Sequence, residues 1–205
     1  MLNGKVILFG ILAAGIGWAD IFDNGPADPT YSLPICGPTN GGCSESSWAT
    51  SFVIAGPAII TQITVAVDWV NGTQSIVLGL YRDNGGLPGT NLESQVVALP
   101  STYGGLVGAT FSQSIAPGGY WVVVEPGGSD TLADWYQNPG ISALEEAVSY
   151  NGSGVWINEA GDNPGVATVG GNPVPAPEPS AFLLLASAAA IVGMIRRRAD
   201  RSGGA

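Results

Sequence analysis

The chain contains no histidine. A Ser-His-Asp or Cys-His catalytic arrangement is therefore impossible, and so is a histidine-ligated zinc, because each depends on an imidazole that moves a proton or holds the metal. No Gly-x-Ser-x-Gly elbow and no glycine-rich phosphate loop occurs either. Basic residues are scarce: six Lys and Arg stand against sixteen Asp and Glu, for a formal net charge of −10. Such a balance repels nucleic-acid phosphates, so no nucleic-acid partner is expected. Cysteine appears only at Cys36 and Cys43, too few for a cysteine-built metal site. What the chain has in quantity is glycine, 31 residues, and proline, 15 residues, which punctuate short apolar stretches as turns.

The few basic residues are concentrated at the two ends. Lys5 precedes an apolar run from Val6 to Ile16, and Gly17-Trp18-Ala19 places small residues three and one before Asp20. A positive start, an apolar core of this length and small residues before a cut make a secretory signal peptide, too short to span a bilayer. Residues 1–19 are read as that signal helix, cut between Ala19 and Asp20. The only lysine leaves with it, so no catalytic lysine remains in the mature chain.

Near the other end, Pro173-Val174-Pro175-Ala176-Pro177-Glu178-Pro179-Ser180 is followed by an apolar run, Ala181 to Ile195, and then by Arg196-Arg197-Arg198. The run would be ~23 Å long as a helix, short of the ~30 Å hydrocarbon core. It is nevertheless free of charge and set apart by prolines, and it stops on arginines, which the positive-inside rule keeps cytoplasmic. Bilayer thinning and snorkelling arginines accommodate such a mismatch at modest cost. Residues 181–195 are read as one short transmembrane helix and a weak anchor, and 196–205 as a basic cytoplasmic tail.

The tripartite order of Pro177-Glu178-Pro179, a short Leu/Ala-rich span and Arg196-Arg197-Arg198 resembles the PEP-CTERM sorting domain of exported bacterial proteins, a tail also labelled the ice-binding protein C-terminal domain. The resemblance covers under a fifth of the chain. It implies recognition by an exosortase-type membrane enzyme, processing near Pro177, Glu178 and Pro179, and an association with exopolysaccharide or biofilm matrix. The ice-binding label belongs to the tail and implies nothing about the remainder. The expected route is export, brief anchoring in the inner membrane, and release to the cell surface or outside.

Between Asp20 and Glu178 one basic residue, Arg82, faces fifteen acids, giving a charge near −14. In an oxidising compartment the even cysteine count and the turn-rich spacer Gly37-Pro38-Thr39-Asn40-Gly41-Gly42 predict a Cys36–Cys43 disulfide. Strand signals recur at short intervals: Trp48 to Ile54, the alternating Ile63, Val65, Val67 and Trp69, then Ser75 to Arg82, Leu92 to Leu99, Leu106 to Phe111, Tyr120 to Glu125, Thr131 to Gln137, Ala147 to Tyr150, Val155 to Ile157 and Val166 to Val169. Residues 20–169 are read as one all-β sandwich, jelly-roll-like, and residues 170–180 as a Pro/Gly-rich linker. Tyr81-Arg82-Asp83-Asn84-Gly85-Gly86-Leu87-Pro88-Gly89 and Gly118-Gly119-Tyr120-Trp121-Val122 resemble the extracellular β-sandwich domains called choice-of-anchor domains. That likeness implies fold and location but no chemistry.

Four candidate chemistries remain. Carboxylates alone can hydrolyse glycosides, and Glu145-Glu146 with Asp130 and Asp134 is the place to look. Neighbouring strand residues point to opposite faces, however, and Ser142-Ala143-Leu144-Glu145 also fits a capping box opening a helical turn. No catalytic residue is assigned. A structural calcium is weighed at Asp83-Asn84 and at Asp20, Asp23 and Asp28, against the plain turn that Asp-Asn-Gly-Gly makes; no other cofactor or metal is expected. Trp135 and Trp156, set among amides and acids, are the candidates for glycan contact, which would make the domain a lectin-like module. Asn71-Gly72-Thr73 and Asn151-Gly152-Ser153 match glycan-acceptor triplets but read as turns.

Overall fold

The computed structural model describes residues 19–101, 105–141, 144–159 and 163–174. These hold twelve strands: β1 Ala19–Asp23, β2 Asp28–Cys36, β3 Ser46–Ile54, β4 Ala58–Asn71, β5 Ser75–Asp83, β6 Pro88–Ala98, β7 Leu106–Ile115, β8 Gly118–Pro126, β9 Leu132–Gln137, β10 Glu146–Tyr150, β11 Trp156–Asn158 and β12 Ala167–Pro173. No helix occurs among the described residues. In particular, none there is long and apolar enough to cross a membrane. The signal segment up to residue 18, the processing triplet Pro177, Glu178, Pro179, the run 181–195 and Arg196 to Arg198 lie outside the described residues.

All the pairings are antiparallel. One layer runs β11-β10-β3-β8-β5-β6. The other is organised by the long β4, which pairs with β7 from Ala58 to Ala66 and with β9 from Val67 to Asn71. Beyond β9 lies β2, and β12 joins β4 to β1. A single bridge, Cys36 to Ser46, links β2 to β3, so the layers form one curled antiparallel sheet folded on itself as a sandwich. Irregularities at Ile60/Gln62 and Trp69/Asn71 let β4 bend as it changes partners.

The core follows from alternation along each strand. Ile63, Val65 and Val67 of β4 are completely buried against Ile76, Leu78 and Leu80 of β5 and Tyr120, Val122 and Val124 of β8. Each such aliphatic side chain contributes about 1.5–3 kcal/mol relative to exposure. Phe22, Phe52 and Tyr120 continue the core toward one end, with ring centroids 5.3 and 5.9 Å apart. The intervening residues of β8, Trp121 and Val123, are buried on the opposite face with Ala49 and Ala147, under Tyr81, Leu87 and Trp156. The central strand β8 is therefore covered on both sides, which is why it reads as a continuous apolar run.

Three features depart from the sequence reading. β1 and β2 are strands that the pattern did not reveal. β2 carries Pro29 and Pro34, which a sheet tolerates here because β2 is paired along its length only to β9 and otherwise presents an edge. β12 extends to Pro173, with Gly170 paired to Asp20 and Gly171 to Ala19, so the spacer does not begin at residue 170. The helical turn expected at Ser142-Glu145 is not formed at its described end: the Glu145 N–H donates to Ser51 Oγ at 2.9 Å, and the chain enters β10 directly.

Candidate functional site

At one end of the six-stranded layer the disulfide predicted from the sequence is present, joining Cys36 and Cys43 with Cα atoms 6.3 Å apart. Closing so short a loop stabilises by ~2–3 kcal/mol in the chain-entropy view. The loop also docks on the β8–β9 connection. Gly37 N–H donates to Thr131 O at 2.8 Å, Thr39 N–H to Ser129 O at 2.7 Å, and Asn40 Nδ2 to Asp130 O at 3.0 Å. Asp130 in turn accepts from Thr73 N–H at 3.1 Å and from Thr73 Oγ1 at 2.5 Å. The Thr73 hydroxyl holds the Asp130 carboxyl below its ordinary pKa. Asp130 is thus committed to a loop contact and is far from Glu145, which lies at the other end of the layer.

The two tryptophans offered as glycan contacts part company. Trp135 is completely buried in the main core, and its Nε1–H donates to Val166 O at 2.9 Å. Alternation along β9 turns Ala133 and Trp135 inward, so Trp135 presents no face to solvent and is removed as a glycan contact. Trp156 sits on the outer face of the six-stranded layer, half-buried over Ala49, Val123 and Ala147. Asn158, two residues on, shares that face and is exposed.

The carboxylates divide in the same way. Glu146 pairs with Thr50 and is buried, whereas Glu145 opens into a cleft of about 400 Å³ with Asp83, Gly86, Ser51, Gly119 and Tyr120. Glu145 and Glu146 therefore do not share a side from which to flank one bond. Asp83 is the knot of this end. One oxygen accepts from Trp121 Nε1–H at 2.8 Å and the other from Gly86 N–H at 3.3 Å, while Asn84 N–H closes the turn on Leu87 O at 2.9 Å. This is the turn reading of Asp-Asn-Gly-Gly in atoms. The two segments that carry the choice-of-anchor resemblance are brought side by side here, with Tyr81 opposite Trp121 and Arg82 opposite Tyr120. Among the described residues no three Cys, Asp or Glu side chains gather as a metal-binding group.

On the outer face of the other layer Asp68 and Asp134 stand directly opposite each other on β4 and β9. Asp68 is buried and accepts from Tyr136 Oη at 2.6 Å and from Gly105 N–H at 3.3 Å. Burial raises the Asp134 pKa, the nearby Asp68 charge raises it further, and a hydrogen bond from Ser32 opposes both. Beside this pair lies a groove of about 540 Å³, walled by Pro26, Ala27, Pro29, Leu106, Val166 and Tyr136. The covering β1–β2 loop is fixed by Asn24, whose Nδ2 donates to Gly165 O at 2.9 Å and whose Oδ1 accepts from Ala167 N–H at 2.8 Å. Periodicity marked Asp68 only as the polar alternate of an amphipathic strand; its hydrogen-bond partners, Tyr136 on β9 and Gly105 before β7, are remote in sequence.

These clusters offer amides, hydroxyls, carboxylates and aromatic rings. No protein-family model matches the chain, and no curated protein does.

Proposed function

We propose that the chain is an exported bacterial cell-surface or extracellular-matrix protein, sorted and processed through a PEP-CTERM/exosortase-type system and non-enzymatic in its action. The observation that carries this reading is the ordered tail: Pro177-Glu178-Pro179, the short apolar span 181–195 and Arg196-Arg197-Arg198, opposite an N-terminal signal with its cut at Ala19–Asp20. The disulfide supports it, since such bonds persist in oxidising compartments. A jelly-roll-like sandwich, a signal helix and one transmembrane helix complete the proposed architecture. The intact chain is held briefly in the inner membrane and then freed, with exopolysaccharide as its surroundings. In a pulse-chase experiment the chain should lose mass twice, at the signal and at the tail. A tail retained in cells that contain an exosortase sinks the processing claim, and a Glu178→Ala chain processed like the native one sinks the motif's role.

A second reading, a lectin-like carbohydrate-binding module, is favoured by one observation: Trp156 lies half-buried on the outer face of the six-stranded layer among small and amide side chains. Rings so placed stack on sugar C–H faces, and a domain near −14 accommodates uncharged glycans better than acidic ones.

A further inference from the structure

Five Asn-Gly pairs fall among the described residues: Asn24-Gly25, Asn40-Gly41, Asn71-Gly72, Asn84-Gly85 and Asn151-Gly152. With no Cβ on the glycine, its backbone nitrogen is open to the preceding side chain, and the two can join in a five-membered imide. The fold treats the five pairs differently. Asn24 is buried with both ends of its carboxamide fixed, Nδ2 on Gly165 O and Oδ1 under Ala167 N–H, and Gly25 N–H is turned away to Asp23 Oδ1 at 2.8 Å. The Asn40 carboxamide is likewise held, by Asp130 O at 3.0 Å and by Gly42 N–H at 2.9 Å. Asn84 packs against Gly89, whose added Cβ would meet Asn84 Cβ at 2.6 Å, and Asn151 has left-handed backbone, φ 58°. Only at Asn71, among these five, is the glycine nitrogen set against the carboxamide that precedes it: Gly72 N–H donates to Asn71 Oδ1 at 2.7 Å.

We propose that Asn71 is a self-modification site, which closes a succinimide with Gly72 and reopens as aspartate or isoaspartate. Asn71 Cγ is one bond of about 1.2 Å from the oxygen that Gly72 already touches. Rotation about χ2, the soft torsion of an asparagine, turns the Cγ face toward the nitrogen, and the side chain is exposed and free to make it. Gly72 N then bonds to Asn71 Cγ, the Cγ–Nδ2 bond breaks, and the Gly72 N–H proton leaves with Nδ2 as ammonia. Water opens the ring. Addition at Cγ breaks the new bond and leaves aspartate; addition at the Asn71 backbone carbonyl breaks the old peptide bond and leaves isoaspartate, one methylene longer in the main chain. The packing keeps the hazard in place, because an added Cβ at Gly72 would meet Asp130 O at 1.8 Å, so this position admits only glycine. Two contacts sense the product. Asn71 closes the β4–β9 ladder opposite Leu132, and Gly72 O accepts from Trp69 Nε1–H at 3.1 Å, so a longer main chain disturbs both. A carboxylate at position 71 also adjoins Asp130, which is bound to Thr73 through N–H and Oγ1, and like charges there work against that tie.

The test ages the full chain in detergent, in warm, mildly alkaline buffer, and follows each Asn-Gly pair by peptide mass spectrometry, with an isoaspartyl methyltransferase as the probe for isoaspartate. Asn71 should convert first, severalfold faster than Asn84 and Asn151, while Asn24 and Asn40 stay intact as long as the chain is folded. In urea the five rates should draw together, because the fold no longer distinguishes them. Asn71→Gln, whose longer side chain would have to close a six-membered ring, should abolish the early conversion and leave the unfolding midpoint unchanged. Asn71→Asp should lower that midpoint at neutral pH, an effect that fades as the carboxylates protonate. Folded protein in which Asn84, Asn151 or Asn40 converts as fast as Asn71 overturns the site, as does early conversion that persists in Asn71→Gln. An Asn71→Asp chain as stable as the native one at neutral pH overturns the coupling to Asp130.

Discussion

At one end of the six-stranded layer, three connections are stitched together by a disulfide and by hydrogen bonds that run from Gly37, Thr39 and Asn40 to Ser129–Thr131, and from Thr73 to Asp130. At the other end the same strands finish in turns gathered around one carboxylate, Asp83, with a cleft between it and Glu145. The stitched end leaves no room where its connections touch: an added Cβ at Gly37 would meet Ser129 O at 2.4 Å, and one at Gly72 would meet Asp130 O at 1.8 Å, while Gly41 at the loop tip is open. The Asp83 end is close-packed at Gly89 and Gly119, where an added Cβ would meet Asn84 Cβ at 2.6 Å and Asp83 Cβ at 3.0 Å, but open at its turn tips, where Gly85 and Gly118 have nothing within 4 Å of an added Cβ. The domain ties three connections together at one end and keeps a cleft at the other.

The sharpest way to break that comparison is to make one substitution at both ends. Gly72 and Gly85 have nearly the same left-handed backbone, φ 74° and 70°. The conformational cost of a side chain is therefore shared, ~1–2 kcal/mol. Only Gly72 adds a collision with a backbone carbonyl, so Gly72→Ala should cost about 3–4 kcal/mol in total and Gly85→Ala about 1. Urea unfolding of both variants measures the difference. Equal losses would mean that the two ends are equally plastic.

Next in size is the disulfide. Reduction, or Cys43→Ser, should cost ~2–3 kcal/mol, some 5–10 °C in Tm for a domain of this size. The comparison sharpens when reduction is combined with Gly72→Ala. If the hydrogen bonds hold the stitched end without the sulfur bridge, the Gly72→Ala cost persists in the reduced protein. A cost that vanishes on reduction would assign the whole rigidity of that end to Cys36–Cys43.

Most of the strand pattern was legible because it rests on local signals, period-two alternation and turn residues. Ile63, Val65 and Val67 announce β4, and Asp83-Asn84-Gly85-Gly86 announces the turn after β5. Illegible parts depend on partners remote in sequence. β12 carries Gly170, Gly171 and Pro173, which have no pattern of their own and become strand only beside β1. Trp135 and Trp156 look alike in their polar neighbourhoods, and only the packing of Val166 and Ala133 around one of them decides that it is core. Tyr81 gave no signal beyond a strand aromatic, because the partners of its hydroxyl, Asn91 and Glu125, lie on two other strands.

The smallest effect sets an acid of the stitched end against one on the outer face of the other layer. At the stitched end the Asp130 pKa is lowered, chiefly by the Thr73 hydroxyl, so whatever Asp130 contributes is present above its unfolded pKa and is lost as pH falls. Asp134 is the reverse. Its pKa is raised, by burial first and then by Asp68, so the folded protein binds that proton more tightly than the unfolded chain does. Stability from this group is greatest below the unfolded value near ~3.9 and declines as pH rises through the folded one. Asp134→Asn removes the decline and should stabilise the protein at pH 7, by less than ~1 kcal/mol because the group is half-exposed and screened. Asp130→Asn should instead flatten the acid limb. Unfolding midpoints of both variants across pH 3 to 7 test the pair. An Asp134→Asn protein less stable than the native one at neutral pH would show that the Asp134 carboxylate, through Ser32, holds the outer face together despite Asp68.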